Sequence, residues 1–148
     1  MQVLAKNIPI LLVDDDETDI EAARRALKKA NISNPVYEAC DGVEALSMLT
    51  SDEAGHKLQP CIILLDINMP RMNGLQLLRE LREKDSLRHS IVFMLTTSPR
   101  PEDIEAAYKL NVAGYLLKEN LHKAALMLSC YCEINEVPGK FSSSDRSV

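Results

Sequence analysis

The feature that most constrains the fold is a run of five apolar residues, 61–65, which ends on Asp66. Five apolar residues without polar alternation predict a strand buried on both faces, which is typical of a parallel sheet. Turn-forming residues follow, among them Pro70 and Gly74. Because open α/β sheets bind ligands beyond the carboxyl ends of their strands, Asp66 is the first candidate for chemistry.

Four further segments predict strands, at 8–13, 36–39, 91–95 and 113–117. Between them apolar residues recur at helical spacing and predict helices over 17–30, 41–50 and 74–84, from Pro101, and from Asn120. Strands that alternate with helices in this way predict an α/β, doubly wound architecture, in which one parallel sheet carries helices on both faces.

The helix ends carry finer predictions. Asp41 and Glu44 have the spacing of a capping box, and the helix that they open is expected to turn Val43, Leu46 and Leu49 inward. Asn120 is expected to cap the last helix.

The domain organisation is predicted to be simple. Residues 1–136 are expected to form one domain, and residues 137–148, which are rich in serine, to form a disordered tail. The polar segment 51–59 is expected to be a surface loop.

Composition excludes several classes of function. The 148 residues carry a net charge of −5, so the chain lacks the basic surface expected of a nucleic-acid-binding protein. No apolar run approaches the roughly 20 residues that span a membrane, and the first residues do not resemble a signal peptide. The four cysteines show no CxxC spacing, which favours reduced thiols and a cytoplasmic location.

Polar residues end four of the five predicted strands. The first strand ends on Asp14, Asp15 and Asp16, the third on Asp66, the fourth on Thr96 and Thr97, and the fifth on Lys118. Each has an ordinary alternative explanation, since aspartates cap helices, threonine is common in strands and lysine is usually solvated. Their recurrence at successive strand ends predicts that they meet at one edge of the sheet.

Their chemistry is mutually consistent. Carboxylates at close range repel one another, and a cation relieves the repulsion. Oxygen ligands without histidine or cysteine favour Mg²⁺. Lys118 and Thr96 offer a charge and a hydroxyl to a phosphoryl oxygen, so Asp66 is a candidate nucleophile that would form an aspartyl phosphate.

With these residues in these positions, the sequence resembles the receiver domain of two-component response regulators. The resemblance covers residues 8–134 and rests on four motifs: Val-Asp-Asp at 13–15, Leu-Leu-Asp-Ile-Asn-Met-Pro at 64–70 with Gly74, Thr-Thr-Ser at 96–98, and Gly-Tyr-Leu-Leu-Lys at 114–118. Regulators of the stand-alone type, chemotaxis-like or associated with phytochrome kinases, are the most similar. The resemblance implies a flavodoxin-like fold with five parallel strands in the order 2-1-3-4-5.

The resemblance also implies the reaction and its metal. Asp66 would be the phosphoacceptor, supplied by a phosphohistidine on a sensor histidine kinase or a histidine phosphotransfer protein. Asp15 and Asp66 would bind Mg²⁺ directly, Asp14 would act through water, and Asn68 would offer its backbone carbonyl. Beyond this transfer and slow autodephosphorylation, no enzymatic turnover is implied.

The remaining matches concern signalling. Lys118 would bind the phosphate, whereas Thr96 and Tyr115 would move after phosphorylation and reshape the face made by helix four, strand five and helix five. An unknown downstream protein would bind that face, and a homodimer through the same face is the alternative. The sequence departs from the family at Glu119, where proline is usual, and in the loop 51–59, which is longer than the family norm.

Three other function classes fit the sequence less well. A pseudo-receiver would keep the fold as a protein-binding module without phosphorylation, and the complete acidic set argues against it. A Mg²⁺-dependent phosphatase would need an acid or base two residues after the nucleophile, where this chain has Asn68. A dinucleotide-binding domain would need a glycine-rich first turn, where this chain has three aspartates.

Overall fold

A computed structural model describes residues 2–51, 58 and 60–138. The strands are β1 (Gln2–Leu4), β2 (Ile10–Val13), β3 (Val36–Ala39), β4 (Ile62–Leu65), β5 (Ile91–Thr96), β6 (Gly114–Leu117) and β7 (Glu136–Pro138). The helices are α1 (Glu17–Lys29), α2 (Gly42–Thr50), α3 (Gly74–Glu83), α4 (Pro101–Lys109) and α5 (Leu121–Ile134). Short 3-10 turns occupy Ala5–Asn7 and Lys118–Asn120.

The central sheet has the predicted topology. Its five strands are all parallel and lie in the order β3-β2-β4-β5-β6, which is 2-1-3-4-5 when the predicted strands are counted along the chain. In register, Ile10 faces Ile62, and Ile62 in turn faces Ile91. The doubly wound, flavodoxin-like architecture expected from the sequence is therefore confirmed.

The core consists of two layers, one on each face of the sheet. Alternate residues of β2 separate cleanly: Leu11 and Val13 pack with α2, α3 and α4, whereas Ile10 and Leu12 pack with α1 and α5. All four are at most 3% exposed. A strand covered on both faces needs apolar residues at every position, and this explains the unbroken apolar runs in the sequence.

Three of the five helices that the structure describes begin at a side-chain cap. The Asp16 carboxylate accepts hydrogen bonds from the backbone N–H groups of Thr18 and Asp19 and begins α1. A complete capping box joins Asn73 to Gln76 at the start of α3. These side chains satisfy backbone donors that the first turn of a helix leaves without partners.

Two details of the predicted helices were wrong. Val43 is 45% exposed and does not turn inward, because Gly42, Ala45 and Leu49 form the buried side of α2. Asn120 makes no side-chain capping bond, because the chain after Lys118 first forms a 3-10 turn and α5 begins only at Leu121.

The strands β1 and β7 form a small antiparallel ribbon that the sequence patterns did not predict. It pairs Val3 with Val137, and Val137 is only 4% exposed. The first two residues of the expected tail thus belong to a strand, because pairing with β1 satisfies their backbone and covers one end of the α5 side of the core.

Most of the loop 51–59 and all of 139–148 lie outside the described residues. None of the helices in the described part of the chain has both the length and the apolar character needed to cross a bilayer.

Arg82 connects α3 to two loops at the amino edge of the sheet. Its guanidinium donates to the backbone carbonyls of Leu110, Arg88, Ser90 and Asn111 at 2.7–3.0 Å. The guanidinium is partly removed from water, and this burial lowers its pKa. The four carbonyls replace that water.

Replacement of Arg82 by methionine should destabilise the fold by about 2–3 kcal/mol, because half-buried carbonyls lose charge-assisted hydrogen bonds. Urea unfolding followed by circular dichroism measures this loss. Arg79 lies exposed on the same helix, and Arg79→Met should change the free energy of unfolding by no more than about 0.5 kcal/mol. Equal effects of the two substitutions would show that Arg82 is only a surface residue.

Candidate functional site

Residues from four strands converge at the carboxyl edge of the sheet. Asp14 follows β2, Asp66 follows β4, Thr96 ends β5 and Lys118 follows β6. Asp14, Asp66 and Thr96 are at most 7% exposed. Buried polar side chains at one sheet edge, contributed by strands far apart in sequence, mark this edge as the candidate site.

Three carboxylates lie together at this edge. One oxygen from each of Asp14, Asp15 and Asp66 lies within 4.8 Å of the others. Asp14 and Asp66 are buried, whereas Asp15 is exposed and forms the side of the cluster open to solvent. Burial raises the pKa of the Asp14 carboxyl above its usual range, although the hydrogen bond from Lys118 opposes this shift.

Lys118 supplies the positive charge of the site. Its Nζ lies 2.6 Å from Asp14 Oδ2, 2.8 Å from Asp19 Oδ2 and 3.5 Å from Asp66 Oδ2. Burial alone would lower the pKa of the ammonium, but the hydrogen bonds to Asp14 and Asp19 and the charge of Asp66 raise it. The lysine is therefore firmly protonated.

The backbone around Asp66 fixes its carboxylate. Asp66 Oδ1 accepts a hydrogen bond from the backbone N–H of Ile67 at 2.9 Å, and the N–H of Gly74 donates to the carbonyl of Ile67 at 2.8 Å. A Cβ at position 74 would lie 2.0 Å from the backbone oxygen of Asp66. Only glycine allows the start of α3 to approach the end of β4 so closely.

A second hydrogen-bonded group connects β5, β6 and α4. The Ser98 N–H donates to Thr96 Oγ1 at 3.3 Å, and the Tyr115 hydroxyl donates to the Ser98 carbonyl at 2.8 Å. The Ser98 hydroxyl donates to Asp103 at 2.6 Å. Burial raises the pKa of the Tyr115 hydroxyl, which stays a neutral donor. Ser98 thus links Thr96 to both Tyr115 and the first turn of α4.

The structure brings together most of the predicted site residues. Asn68 lies two residues beyond Asp66 in the loop after β4, with its side chain exposed. Asp16, for which the sequence suggested no ligand role, caps α1. Asp19 was not predicted, and its only signal was its position one helical turn after Asp15.

The donor set fits a hard divalent cation. The three carboxylates offer oxygen ligands only, and Lys118 compensates one of their charges. Mg²⁺ and Mn²⁺ favour such ligands, and the exposed Asp15 side leaves room for water molecules. Asp14, Asp15 and Asp66 are therefore able to hold a metal ion of this class.

Comparison with known proteins identifies the family. A family model described as the response regulator receiver domain matches residues 10–128. The chain belongs to this family. The resemblance inferred from the motifs is thereby confirmed.

Individual receiver proteins support the same assignment. Response regulator Rcp1 of Synechocystis sp. is 34% identical over 110 residues, covering 74% of this chain and 75% of Rcp1. Chemotaxis protein CheY-3 of Vibrio cholerae is 34% identical over 116 residues, covering 78% of this chain and 84% of CheY-3.

Solved receiver structures superimpose on the whole domain. The receiver domain from Rhodospirillum rubrum has a TM-score of 0.80 at 26% identity, covering 91% of this chain and 100% of that chain. The Mn²⁺-bound form of Rcp1 has a TM-score of 0.75 at 30% identity, covering 86% of this chain and 96% of that chain.

A polar group at the carboxyl end of β3 flanks the site of this receiver domain. Asp41 accepts a hydrogen bond from Arg71, which comes from the loop after β4 and has a positive φ of 65°. The bond to Arg71 lowers the pKa of the Asp41 carboxyl. The neighbouring Cys40 thiol donates to Glu44 Oε2 at 2.9 Å, and this bond raises the pKa of Cys40 to about 11.

Alkylation of Cys40 by iodoacetamide should therefore be slow at pH 8.5 and should accelerate as the pH approaches 11, because the thiolate is the nucleophile. Glu44→Gln should raise the rate at pH 8.5 on the order of tenfold, since it lowers the thiol pKa by about one unit or more. Peptide mass spectrometry measures the rate. The isosteric control Glu21→Gln, on α1, should leave it unchanged, and an unchanged rate in Glu44→Gln would contradict the assigned bond.

Proposed function

We propose that this receiver domain is a phosphorylation switch that accepts a phosphoryl group on Asp66 in a Mg²⁺-dependent reaction. One observation carries the proposal: a buried carboxylate at the end of β4 lies 3.5 Å from a buried lysine and within 4.8 Å of two further carboxylates. The three carboxylates carry more negative charge than one ammonium group compensates, and the exposed Asp15 leaves the cluster accessible to a cation.

The donor would be a phosphohistidine of a sensor histidine kinase or a histidine phosphotransfer protein. An Asp66 oxygen would form the new P–O bond while the P–N bond breaks, and the imidazole would leave with the bonding electron pair and take up a proton. The family assignment supports this donor class, because receiver domains act with such proteins. The Asp66 oxygen atoms need no further activation, since the carboxylate is already a nucleophile.

A bound Mg²⁺ would neutralise charge on the transferring phosphoryl group. Asp15 and Asp66 would hold it directly, Asp14 through water, and Asn68 through its backbone carbonyl. The all-oxygen donor set and the Mn²⁺-bound form of the relative Rcp1 support this assignment. Lys118 would bind a phosphoryl oxygen and so compensate charge that the metal leaves.

Thr96 and Tyr115 would transmit the change. A phosphoryl group on Asp66 would attract the Thr96 hydroxyl, which now accepts the bond from Ser98, and Ser98 also holds Tyr115 and α4. The face formed by α4, β6 and α5 would change as a consequence. A downstream protein would bind this face; a second copy of the chain is one candidate, because Tyr108 on α4 is 51% exposed.

The proposal does not extend to turnover of free phosphoesters. An aspartyl phosphatase of this general architecture needs a proton donor two residues after its nucleophile, and Asn68 cannot donate a proton as a carboxylic acid does. Slow hydrolysis of the aspartyl phosphate is the only release expected.

Incubation with acetyl phosphate and Mg²⁺ should add one phosphoryl group to the parent protein and none to Asp66→Asn. Intact-mass spectrometry measures the adduct, and EDTA should abolish it. Asp85→Asn is a suitable control, because Asp85 is exposed and follows the C-terminus of α3, whereas Asp66 lies next to the N-terminus of that helix. A folded parent without an adduct would instead favour a pseudo-receiver that acts through binding alone.

Thr96→Ala should leave the adduct intact but uncouple it from the output face, because the hydroxyl that responds to the phosphoryl group is missing. Hydrogen–deuterium exchange in α4 and β6, with and without acetyl phosphate, measures the coupling. The neighbouring Thr97 is exposed, and Thr97→Ala should behave as the parent. An exchange response in Thr96→Ala equal to that of the parent would remove Thr96 from the switch.

A further inference from the structure

Asp19 accepts a hydrogen bond from Lys118 but lies outside the cluster of Asp14, Asp15 and Asp66. It lies in the first turn of α1, and its Oδ2 accepts from Lys118 Nζ at 2.8 Å. Its side chain is 38% exposed, whereas that of Asp14, the other close partner, is 10% exposed. Asp19 is not among the three carboxylates that can hold a cation.

The geometry of Lys118 leaves little capacity for a new partner. An ammonium group has three N–H donors. Two serve Asp14 and Asp19 at distances typical of charge-assisted bonds, and the remaining carboxylate, Asp66, lies at 3.5 Å. The third donor is the one left for a phosphoryl oxygen on Asp66. Because Asp66 lies farther away than the two close partners, an ammonium drawn toward that oxygen would loosen its bond to Asp14 or Asp19.

Asp19 is the partner that can be displaced at lower cost. Asp14 is buried and without the lysine would keep, among the described residues, only the hydrogen bond from the backbone N–H of Asp16, whereas Asp19 is near solvent and water can replace Lys118. A cavity of about 100 Å³, lined by Asp19, Lys118 and apolar residues of α1 and the sheet, leaves the lysine stem room to move.

We propose that Asp19 is a positioning residue that holds Lys118 on the α1 side in the resting state and competes with the phosphoryl group for its ammonium. This inference rests on the proposed function. Asp19 acts through Lys118 and touches neither the metal nor the phosphoryl group. Its effect is to weaken attachment of a phosphoryl group and to shorten the lifetime of the aspartyl phosphate.

The test uses beryllium fluoride, an anion that attaches to carboxylates as a phosphoryl analogue, at saturating Mg²⁺. Asp19→Asn should bind it at least about threefold more tightly than the parent, because an amide competes less well for the ammonium than a carboxylate does. NMR titration of the full chain measures the affinity. The acetyl phosphate adduct should also last longer in Asp19→Asn.

Two further variants separate positioning from structure and from net charge. Asp19→Glu keeps the carboxylate and should restore an affinity close to that of the parent. Glu21→Gln removes the same charge from an exposed site on α1 and should leave the affinity unchanged. Circular dichroism should show that all three variants are folded.

Several results would overturn the inference. Unchanged or weaker binding by Asp19→Asn would show that Asp19 does not compete for Lys118, and tighter binding by Glu21→Gln would assign the effect to overall charge. A more than tenfold loss of Mg²⁺ affinity in Asp19→Asn would place Asp19 with the metal ligands. If the parent itself bound neither beryllium fluoride nor a phosphoryl group, the proposed function would fail, and the inference with it.

Discussion

The gathering of negative charge at the carboxyl edge of the sheet is the constraint on which the site depends. Asp14 and Asp66 are buried side by side, and their repulsion is tolerable only because Lys118 lies between them and Asp19. One ammonium group cannot compensate all of these carboxylates. The site therefore carries an excess of negative charge, and a divalent cation held by Asp14, Asp15 and Asp66 would compensate it.

The sheet makes this arrangement possible because it is rigid and covered on both faces. β2 and β4, which position Asp14 and Asp66, are adjacent and fully buried, so the two carboxylates have little freedom to move apart. Gly74 adds a further restraint, since α3 begins in direct contact with the backbone of Asp66. The repulsion is thus maintained by packing energy elsewhere in the domain.

The same edge contains the elements that can respond. Ser98 is bonded to Thr96, Tyr115 and Asp103, so a displacement of Thr96 would reach α4 and β6 through one residue. Lys118, by contrast, is linked to α1 through Asp19. Hydrogen bonds therefore link the sheet edge around Asp66 to two parts of the surface, the face formed by α4, β6 and α5 and the first turn of α1.

The sequence by itself determined the parallel sheet and the convergence of Asp14, Asp66, Thr96 and Lys118, because unbroken apolar runs specify buried parallel strands and such strands end at the same edge. The strand order was implied only by the resemblance of its motifs to receiver domains. Helix starts were predictable where the signal lay within one turn, as at Pro101, the first residue of α4. Tertiary structure decided the rest. The β1–β7 ribbon and the contact between Asp19 and Lys118 join residues 99 or more positions apart. The hydrogen bonds of Arg82 depend on where the backbone carbonyls of two loops lie. Such contacts leave no periodic pattern, since they are set by where the folded elements meet.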